Sequence, residues 1–364
     1  MSPPPEFSRQ LLRSVAVVVA ALTLAFVLAS CSGAAISPGR PLQVRGNLIE
    51  RGGVRFLARG AVDYVLPFYS GAGGGADLTL KSATEANYAD RAAAFRTMRS
   101  DGVNLVRIPL GLPGWTSDIY GLGGQKAYLR RLVSVVRAAE SAGLVVDLCW
   151  FDSLGWGSDL PDRYRRAWPM ERAVIEAVGR DPDVVYEPFN EPNGLSWGQW
   201  SQVIQGTLTE WRRVFGYRGV LILDTIDYSW TFSASAASQV QKFDARLLGS
   251  APQVVFANHR YPNGASCFCG RQVSNFQQTI GQWVGRYPLI GGEYGVYVAG
   301  FVPNPDWMAQ FLPTIRRLDS NGLNGAILFV WRWVDANSLT KAEGSTLSAY
   351  GRIVRSELWS APSG

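Results

Sequence analysis

The sequence has only one histidine and four cysteines among its 364 residues. A zinc site needs several imidazole or thiolate ligands, and one histidine with no second cysteine pair does not supply them. Lys and Arg form no run interleaved with aromatic residues, so a nucleic-acid surface is not indicated despite the formal charge of +6. The glycine-rich stretch 71–75 lacks the spacing of a phosphate-binding fingerprint. We therefore expect no metal and no nucleic-acid partner.

Apolar residues make up 47% of the chain and charged residues 18%, a balance that disfavours disorder and provides for a large core. At this length, one barrel-sized domain and two smaller domains are both compatible with the composition. The 13 Trp, 14 Tyr and 16 Phe are more aromatic residues than a core requires. Flat rings also stack on the apolar faces of sugars, so part of this set is expected to line a binding groove.

The N-terminus resembles that of a bacterial lipoprotein. Arg9 and Arg13 precede an apolar run, 15–28, that has the length of a secretory signal and is short for a membrane span. The following Leu28-Ala29-Ser30-Cys31 is similar to a lipoprotein box. We predict a signal peptide over 1–31, lipidation of Cys31, a flexible tether over 32–40 and a domain over 41–364. The protein would then be anchored in the cell envelope, outside the cytoplasm. The alternatives are an ordinary signal peptide, which would give a secreted protein, and an uncleaved anchor.

Three cysteines remain beyond the lipoprotein box. Cys149 lies in a strongly apolar strand and is expected to be a buried core thiol. Cys267 and Cys269 share a loop and could pair, although cysteines so close in sequence form a strained ring.

Strand-like apolar runs alternate with helical segments along the chain. Leu42–Leu57 is predicted to form a short β-hairpin with its turn at 51–53. The eight predicted main strands are 58–61, 103–108, 144–150, 184–189, 220–224, 254–258, 289–293 and 326–331. The predicted helices are 86–99, 126–142, 165–179, 197–214, 236–248, 272–284, 307–318 and 345–357. Eight apolar strands with crossover helices favour a single closed α/β (β/α)8 barrel, a TIM barrel, over an open sheet.

Two of these strands end at a glutamate. The run 184–189 leads into Asn190-Glu191-Pro192, and 289–292 leads into Glu293 between glycines and Tyr294. In a barrel of this type all carboxyl strand ends meet at one face, so two such acids indicate paired-carboxylate chemistry. The strand-end residues expected in one site are Arg107, Trp150, Asn190, Glu191, His259, Tyr261, Glu293 and Trp331.

These motifs resemble glycoside hydrolase family 5, the cellulase-type family of retaining barrel glycosidases in clan A. The resemblance extends from 54–60 through 102–109 to 329–333, and its most specific part is Phe189-Asn190-Glu191-Pro192. It implies that Glu191 is the general acid/base and that Asn190 binds the sugar 2-hydroxyl. Gly292-Glu293-Tyr294-Gly295 is similar to the motif that bears the nucleophile, which implies that role for Glu293.

The resemblance implies supporting roles as well. Tyr261, in the His-x-Tyr pattern that begins at His259, would orient the nucleophile, and Arg107 would lie near it. Trp331 would lie under the sugar that is cleaved. Where the family commonly has Asp-Trp-His at the third strand, this chain has Cys149-Trp150-Phe151, which is a departure at the cleaved sugar.

Several alternatives stay open at this point. Glu187, four residues before Glu191, could be the catalytic acid, and Arg107 could be part of a structural ion pair. Asn190 and Glu191 would face opposite ways in a regular strand, so a bulge or strand end is expected there. Trp156, Trp197 and Trp230 follow strands and could be either sugar platforms or packing residues.

Together these features predict a retaining glycoside hydrolase that cleaves β-linked polysaccharides, oligosaccharides or glycoconjugates by double displacement, similar to endoglucanases and mannanases. It would act as a monomer without a cofactor, and would touch the membrane only through the lipid on Cys31. The alternatives are an inactive carbohydrate-binding lipoprotein and a transglycosylase that remodels glycan.

Overall fold

A computed structural model describes residues 39–64, 85–111, 115, 124–151, 160–261, 272–298, 302–303, 305–331, 338–341 and 346–360. The predicted signal peptide with Cys31 and nearly all of the tether lie outside these ranges. So do Trp156, the glycine-rich stretch 71–75 and the pair Cys267 and Cys269. No helix among the described residues is long and apolar enough to cross a membrane.

Eight parallel strands close into a barrel, which confirms the predicted (β/α)8 fold. The first strand pairs with both the second and the last, and the intervening strands pair in chain order. Three short antiparallel strands precede the barrel and confirm the predicted hairpin, with one further strand: β1 (Leu42–Arg45), β2 (Leu48–Arg51) and β3 (Val54–Arg55). The barrel strands are β4 (Ala58–Val62), β5 (Leu105–Leu110), β6 (Val145–Trp150), β7 (Val184–Glu187), β8 (Leu221–Asp224), β9 (Val254–Arg260), β10 (Leu289–Tyr294) and β13 (Gly325–Leu328); a small pair, β11 (Tyr297–Val298) and β12 (Val302–Pro303), follows β10.

Helical segments occupy all eight predicted regions. They are α1 (Glu85–Ser100), α2 (Gly124–Ser141), α3 (Leu160–Val178), α4 (Trp197–Thr209), α5 (Ala234–Leu248), α6 (Gln272–Thr279), α7 (Pro305–Ser320) and α8 (Ala349–Val354). The predicted segment 197–214 ends in a π-helical turn, Glu210–Val214, and the last helix likewise continues as a π-helical turn, Arg355–Trp359. The run predicted as strand 326–331 is regular strand only as far as Leu328, although the N–H groups of Phe329 and Trp331 still donate to the carbonyls of Tyr294 and Val62.

Strand side chains alternate between two apolar layers. Along β6, Val145 and Cys149 point into the barrel, whereas Val146, Leu148 and Trp150 pack between the sheet and the helices. The inward cluster includes Leu42, Val44, Ile49 and Phe56 from the first three strands, so that small sheet covers one end of the barrel. Because successive strand residues face opposite ways, only every second residue can reach the interior where the strand ends converge.

Asn324 joins the small sheet to the barrel. Its Oδ1 accepts from the Ile49 N–H at 2.8 Å, and its Nδ2 donates to the carbonyls of Asn47 at 2.9 Å and Leu289 at 3.1 Å. The side chain is fully buried, so these backbone groups have no solvent to replace it.

We predict that Asn324→Ala lowers the free energy of unfolding by about 2 to 3 kcal/mol, because it leaves buried backbone groups without partners. Urea denaturation measures this change. Asn321→Ala is the matched control, since Asn321 is exposed three residues earlier, and its change should stay within about 0.5 kcal/mol. Equal effects of the two substitutions would contradict the role given to Asn324.

Candidate active site

The carboxyl ends of the barrel strands bring five ionisable groups together inside the barrel. Arg107 lies on β5, Glu187 ends β7, Asp224 ends β8, His259 lies on β9 and Glu293 lies on β10. Each is buried, with Glu293 the most exposed at 5%. Buried charges at this density require mutual pairing, which the hydrogen bonds of Arg107 largely provide.

The guanidinium of Arg107 is the centre of this network. Its Nε and Nη2 donate to Glu187 Oε2 at 2.8 Å and Oε1 at 2.6 Å, and Nη2 also donates to Asn190 Oδ1 at 2.6 Å. Its Nη1 donates to Glu293 Oε2 at 2.7 Å. Burial would lower the pKa of Arg107, but the neighbouring Cys149 and carboxylates outweigh it and raise that pKa, so the group stays cationic. One cation therefore orients three strand ends.

Glu187 has both oxygens bound to Arg107 and no exposed surface. Burial raises its pKa, and Asp147, beside Arg107, has its pKa raised to about 7, mainly by burial. A carboxyl in this position supports Arg107 and does not face a groove. Its geometry is that of a structural hydrogen-bonding group and does not favour the alternative in which Glu187 is the catalytic acid.

Glu293 accepts hydrogen bonds on both carboxylate oxygens. Arg107 binds Oε2, and the hydroxyl of Tyr261 donates to Oε1. Burial and the carboxylate of Glu293 raise the pKa of Tyr261, so its hydroxyl keeps the proton that it donates. The register with β9 shifts between Gly291 and Glu293, and this irregularity turns the side chain of Glu293 toward Tyr261.

Glu191 follows the end of β7 in a left-handed backbone conformation, with φ of 48°. The expected strand end is therefore present, and it allows the side chains of Asn190 and Glu191 to reach the same site. The N–H of Glu191 donates to Asp224 Oδ2 at 2.6 Å, and its Oε1 lies 2.8 Å from His259 Nδ1. Burial raises the pKa of Glu191; the nearby carboxylates of Glu293 and Asp224 act in the same direction, and His259 opposes them.

The two strand-end glutamates meet across this site. One carboxylate oxygen of Glu191 and one of Glu293 lie within 4.8 Å of each other and of a His259 nitrogen. Glu187, Asp224 and His259 form a second group of this kind, so both groups have the spacing to hold a cation. Arg107, Tyr261 and backbone N–H groups already bind these oxygens, and we assign no metal to either group.

Two tryptophans that were expected in the site lie elsewhere. Trp150 points outward from β6 and packs against Trp211 and Tyr186, with ring centroids 5.7 Å and 6.0 Å away. Trp331 is fully buried in the layer between sheet and helices, 6.2 Å from the ring of Trp359. Trp150 points outward because it directly follows the inward Cys149 on β6, and successive strand side chains face opposite ways. Trp331 lies outside because Phe329 and Val330 both pack inward, so the alternation breaks between them and the next residue faces outward.

Three other aromatic residues border the site, two of which were not singled out from the sequence. Phe329 makes an edge-to-face contact with Tyr261, at 5.9 Å, and Tyr64 makes such contacts with both Phe329 and Phe151, at 6.1 Å each. The ring of Phe151 lies 5.6 Å from the guanidinium of Arg107. Counting every second residue from Cys149 would have placed Phe151 inside the barrel.

Trp197 and Trp230, two of the three tryptophans named as alternative sugar platforms, have packing partners. Trp197 makes an edge contact with Trp200 at 5.4 Å, and Arg260 lies 4.8 Å over the ring of Trp230. These contacts agree with the packing reading of both residues.

Comparison with known structures shows barrels of the same kind. A β-mannanase from Thermomonospora fusca in complex with mannotriose is 20% identical, with a TM-score of 0.61 over 86% of this chain and 93% of the mannanase. The catalytic domain of Thermobifida fusca endoglucanase Cel5A is 16% identical, with a TM-score of 0.62 over 88% and 97%. A β-mannanase from Streptomyces thermolilacinus is 19% identical, with a TM-score of 0.58 over 86% and 93%. At such identities these likenesses support the fold alone.

Among curated protein sequences, none matches this chain. The family model described as cellulase (glycosyl hydrolase family 5) matches residues 74–337, which is most of the chain and includes all the ionisable residues of the site described above. The chain therefore belongs to glycosyl hydrolase family 5, the cellulase family.

Proposed function

We propose that this member of a glycoside hydrolase family is a retaining β-glycosidase in which Glu293 is the nucleophile and Glu191 the general acid/base. The separation of their carboxylate oxygens, within 4.8 Å, carries the proposal. Retaining enzymes place the two carboxyl groups about 5 to 5.5 Å apart, whereas inverting enzymes leave about 6.5 to 9.5 Å for a water molecule. A direct attack by Glu293 is therefore the reaction that this site supports best.

In the first step the Glu293 carboxylate attacks the anomeric carbon while the bond from that carbon to the glycosidic oxygen breaks. Glu191 transfers its proton to the departing oxygen, and a glycosyl ester forms on Glu293. Arg107 and Tyr261 hold the nucleophile from two sides. The raised pKa of Glu191 keeps a proton available on the acid.

In the second step the ionised Glu191 takes a proton from a water molecule, whose oxygen attacks the same carbon. The ester bond breaks, the Glu293 carboxylate is regenerated, and the sugar leaves with its original anomeric configuration. Asn190 is positioned to bind the 2-hydroxyl of the sugar in both steps, because Arg107 holds its side-chain oxygen and so orients the amide.

The substrate that we propose is a β-linked hexose polysaccharide such as mannan or cellulose-type glucan. The support is membership of the cellulase family, together with the site described above; the similar barrels include β-mannanases and an endoglucanase. Assays of reducing-sugar release from β-mannan, β-1,4-glucan, β-1,3-glucan and a glycolipid test this proposal. The proposal would be contradicted if the enzyme released sugar from neither of the first two polysaccharides, β-mannan and β-1,4-glucan.

We predict that Glu293→Gln abolishes hydrolysis of both polysaccharides and activated aryl glycosides, because no ester can form. Glu191→Gln should lower kcat/KM for polysaccharide by about 10² to 10⁴-fold, the usual contribution of general acid–base catalysis. Glu176→Gln is the control, since Glu176 is exposed on α3 and forms a surface ion pair with Arg172. Parent-like activity of either site variant would contradict the assignment and would be consistent with a binding protein or a different catalytic pair.

The pH dependence gives a second prediction. Because only protonated Glu191 can act as the acid, kcat/KM should fall as pH rises through its raised pKa, above the ordinary value of 4.5. In Glu191→Ala, assayed with a dinitrophenyl glycoside that needs no proton to depart, this descending limb should disappear. An unchanged limb in that variant would assign the titration to another group.

A further inference from the structure

Asp224 contacts both the acid/base residue and its histidine partner, and the two-step reaction gives it no role. It ends β8 and is fully buried. Its Oδ2 accepts from the N–H of Glu191 at 2.6 Å, and its Oδ1 lies 3.4 Å from His259 Nε2. His259 Nδ1 in turn lies 2.8 Å from Glu191 Oε1. The three residues therefore form a closed ring of polar contacts.

The backbone contact fixes where Glu191 stands. A non-glycine residue with φ of 48° occupies a region that side chains disfavour, so an added contact is needed to hold it. The bond from its N–H to the Asp224 carboxylate is a charge-assisted hydrogen bond of this kind.

The second contact determines the protonation of His259. The Nε2 of His259 faces the Asp224 carboxylate and its Nδ1 faces a carboxyl oxygen of Glu191, so a ring protonated on both nitrogens can donate to both neighbours. His259 faces Asp224 from β8, Glu187 and Glu191 from the end of β7, and Glu293 from β10. The cation of this network, Arg107, is bound to Glu187 and Glu293. Burial would lower the pKa of His259, but Asp224, Glu191 and Glu293 raise it well above its ordinary value.

We propose that Asp224 is a positioning residue for the acid/base Glu191, holding its backbone in place and keeping His259 as an imidazolium beside it. This inference rests on the proposed function of Glu191. An imidazolium donates through Nδ1 to Oε1, which leaves the other oxygen of Glu191 to carry the proton for the departing group. It also stabilises the negative charge that develops on Glu191 as that proton leaves.

The single histidine of the chain makes the first experiment direct. In the NMR spectrum of uniformly ¹⁵N-labelled protein, all imidazole signals of the folded chain without a histidine tag belong to His259. We expect both ring nitrogens of the wild type to show the doubly protonated state up to a pH well above about 6.5, the ordinary pKa of histidine. In Asp224→Asn the pH at which the His259 ring loses its second proton should fall toward that ordinary value. A wild-type ring that is singly protonated at pH 7 would overturn the proposal, even if no variant folds.

The second experiment compares leaving groups. Asp224→Asn keeps an oxygen for the Glu191 N–H but removes the charge, so kcat/KM should fall about tenfold or more for a poor leaving group such as an alkyl alcohol or a sugar. For a dinitrophenyl glycoside, which departs without a proton, the loss should be much smaller. Asp224→Ala also removes the backbone contact and should show a larger loss with the poor leaving group.

Asp244→Asn is the matched control. Asp244 on α5 is also a fully buried carboxylate that accepts a backbone N–H, from Gln253 at 2.7 Å, and it pairs with a cation, Arg212, at 2.8 Å. Its substitution should change stability but neither the His259 titration nor the dependence on leaving group. If Asp224→Asn behaves like this control, the positioning role is wrong while the proposed function stands. A wild type that hydrolyses no glycoside at all would instead contradict the proposed function.

Discussion

The structure of the site depends on one buried cation. Arg107 lies inside a barrel whose other inward residues are largely apolar, and an unpaired guanidinium there would cost several kcal/mol in lost hydration. Glu187 binds its Nε and Nη2 bidentately, Asn190 also binds Nη2, and Glu293 binds Nη1. The ends of β5, β7 and β10 must therefore meet for the charge to be satisfied. The same requirement brings the nucleophile candidate into position before any substrate binds.

Two glutamates of the same chemistry acquire different properties from their surroundings. Glu293 receives a hydrogen bond from Arg107 and another from Tyr261, which are contacts suited to a carboxylate. Glu191 lies beyond the reach of Arg107 in the contacts described, and burial raises its pKa. Its partner is instead His259, which Asp224 contacts from the opposite side. The different partners of the two glutamates thus favour the ionised form of Glu293 and the protonated form of Glu191, as paired-carboxylate catalysis requires.

Much of the fold could be predicted because each barrel strand is a short apolar run bounded by polar residues, and the carboxyl ends of such strands must converge. The positions of Glu191, Glu293, Arg107 and Tyr261 follow from that rule. The outward position of Trp150 could also have been predicted, because Trp150 directly follows Cys149, which points into the barrel. Phe329 keeps the inward direction of Ile327, but Trp331 does not, because Phe329 and Val330 both pack inward and the alternation breaks between them. The contact of Asp224 with Glu191 depends on how two strand ends meet in space, which no local pattern contains.

The central claim is that Glu293, held by Arg107 and Tyr261, forms a covalent bond to the sugar. The most direct measurement is mass spectrometry of the intact protein after reaction with a 2-deoxy-2-fluoro-glycosyl fluoride of the mannose or glucose series, followed by peptide mapping. We predict that the mass of the intact protein increases by one fluorosugar, that peptide mapping locates the sugar on Glu293, and that Glu293→Gln gains no sugar. A sugar attached to any other residue, or no adduct from an enzyme that hydrolyses glycosides, would contradict it.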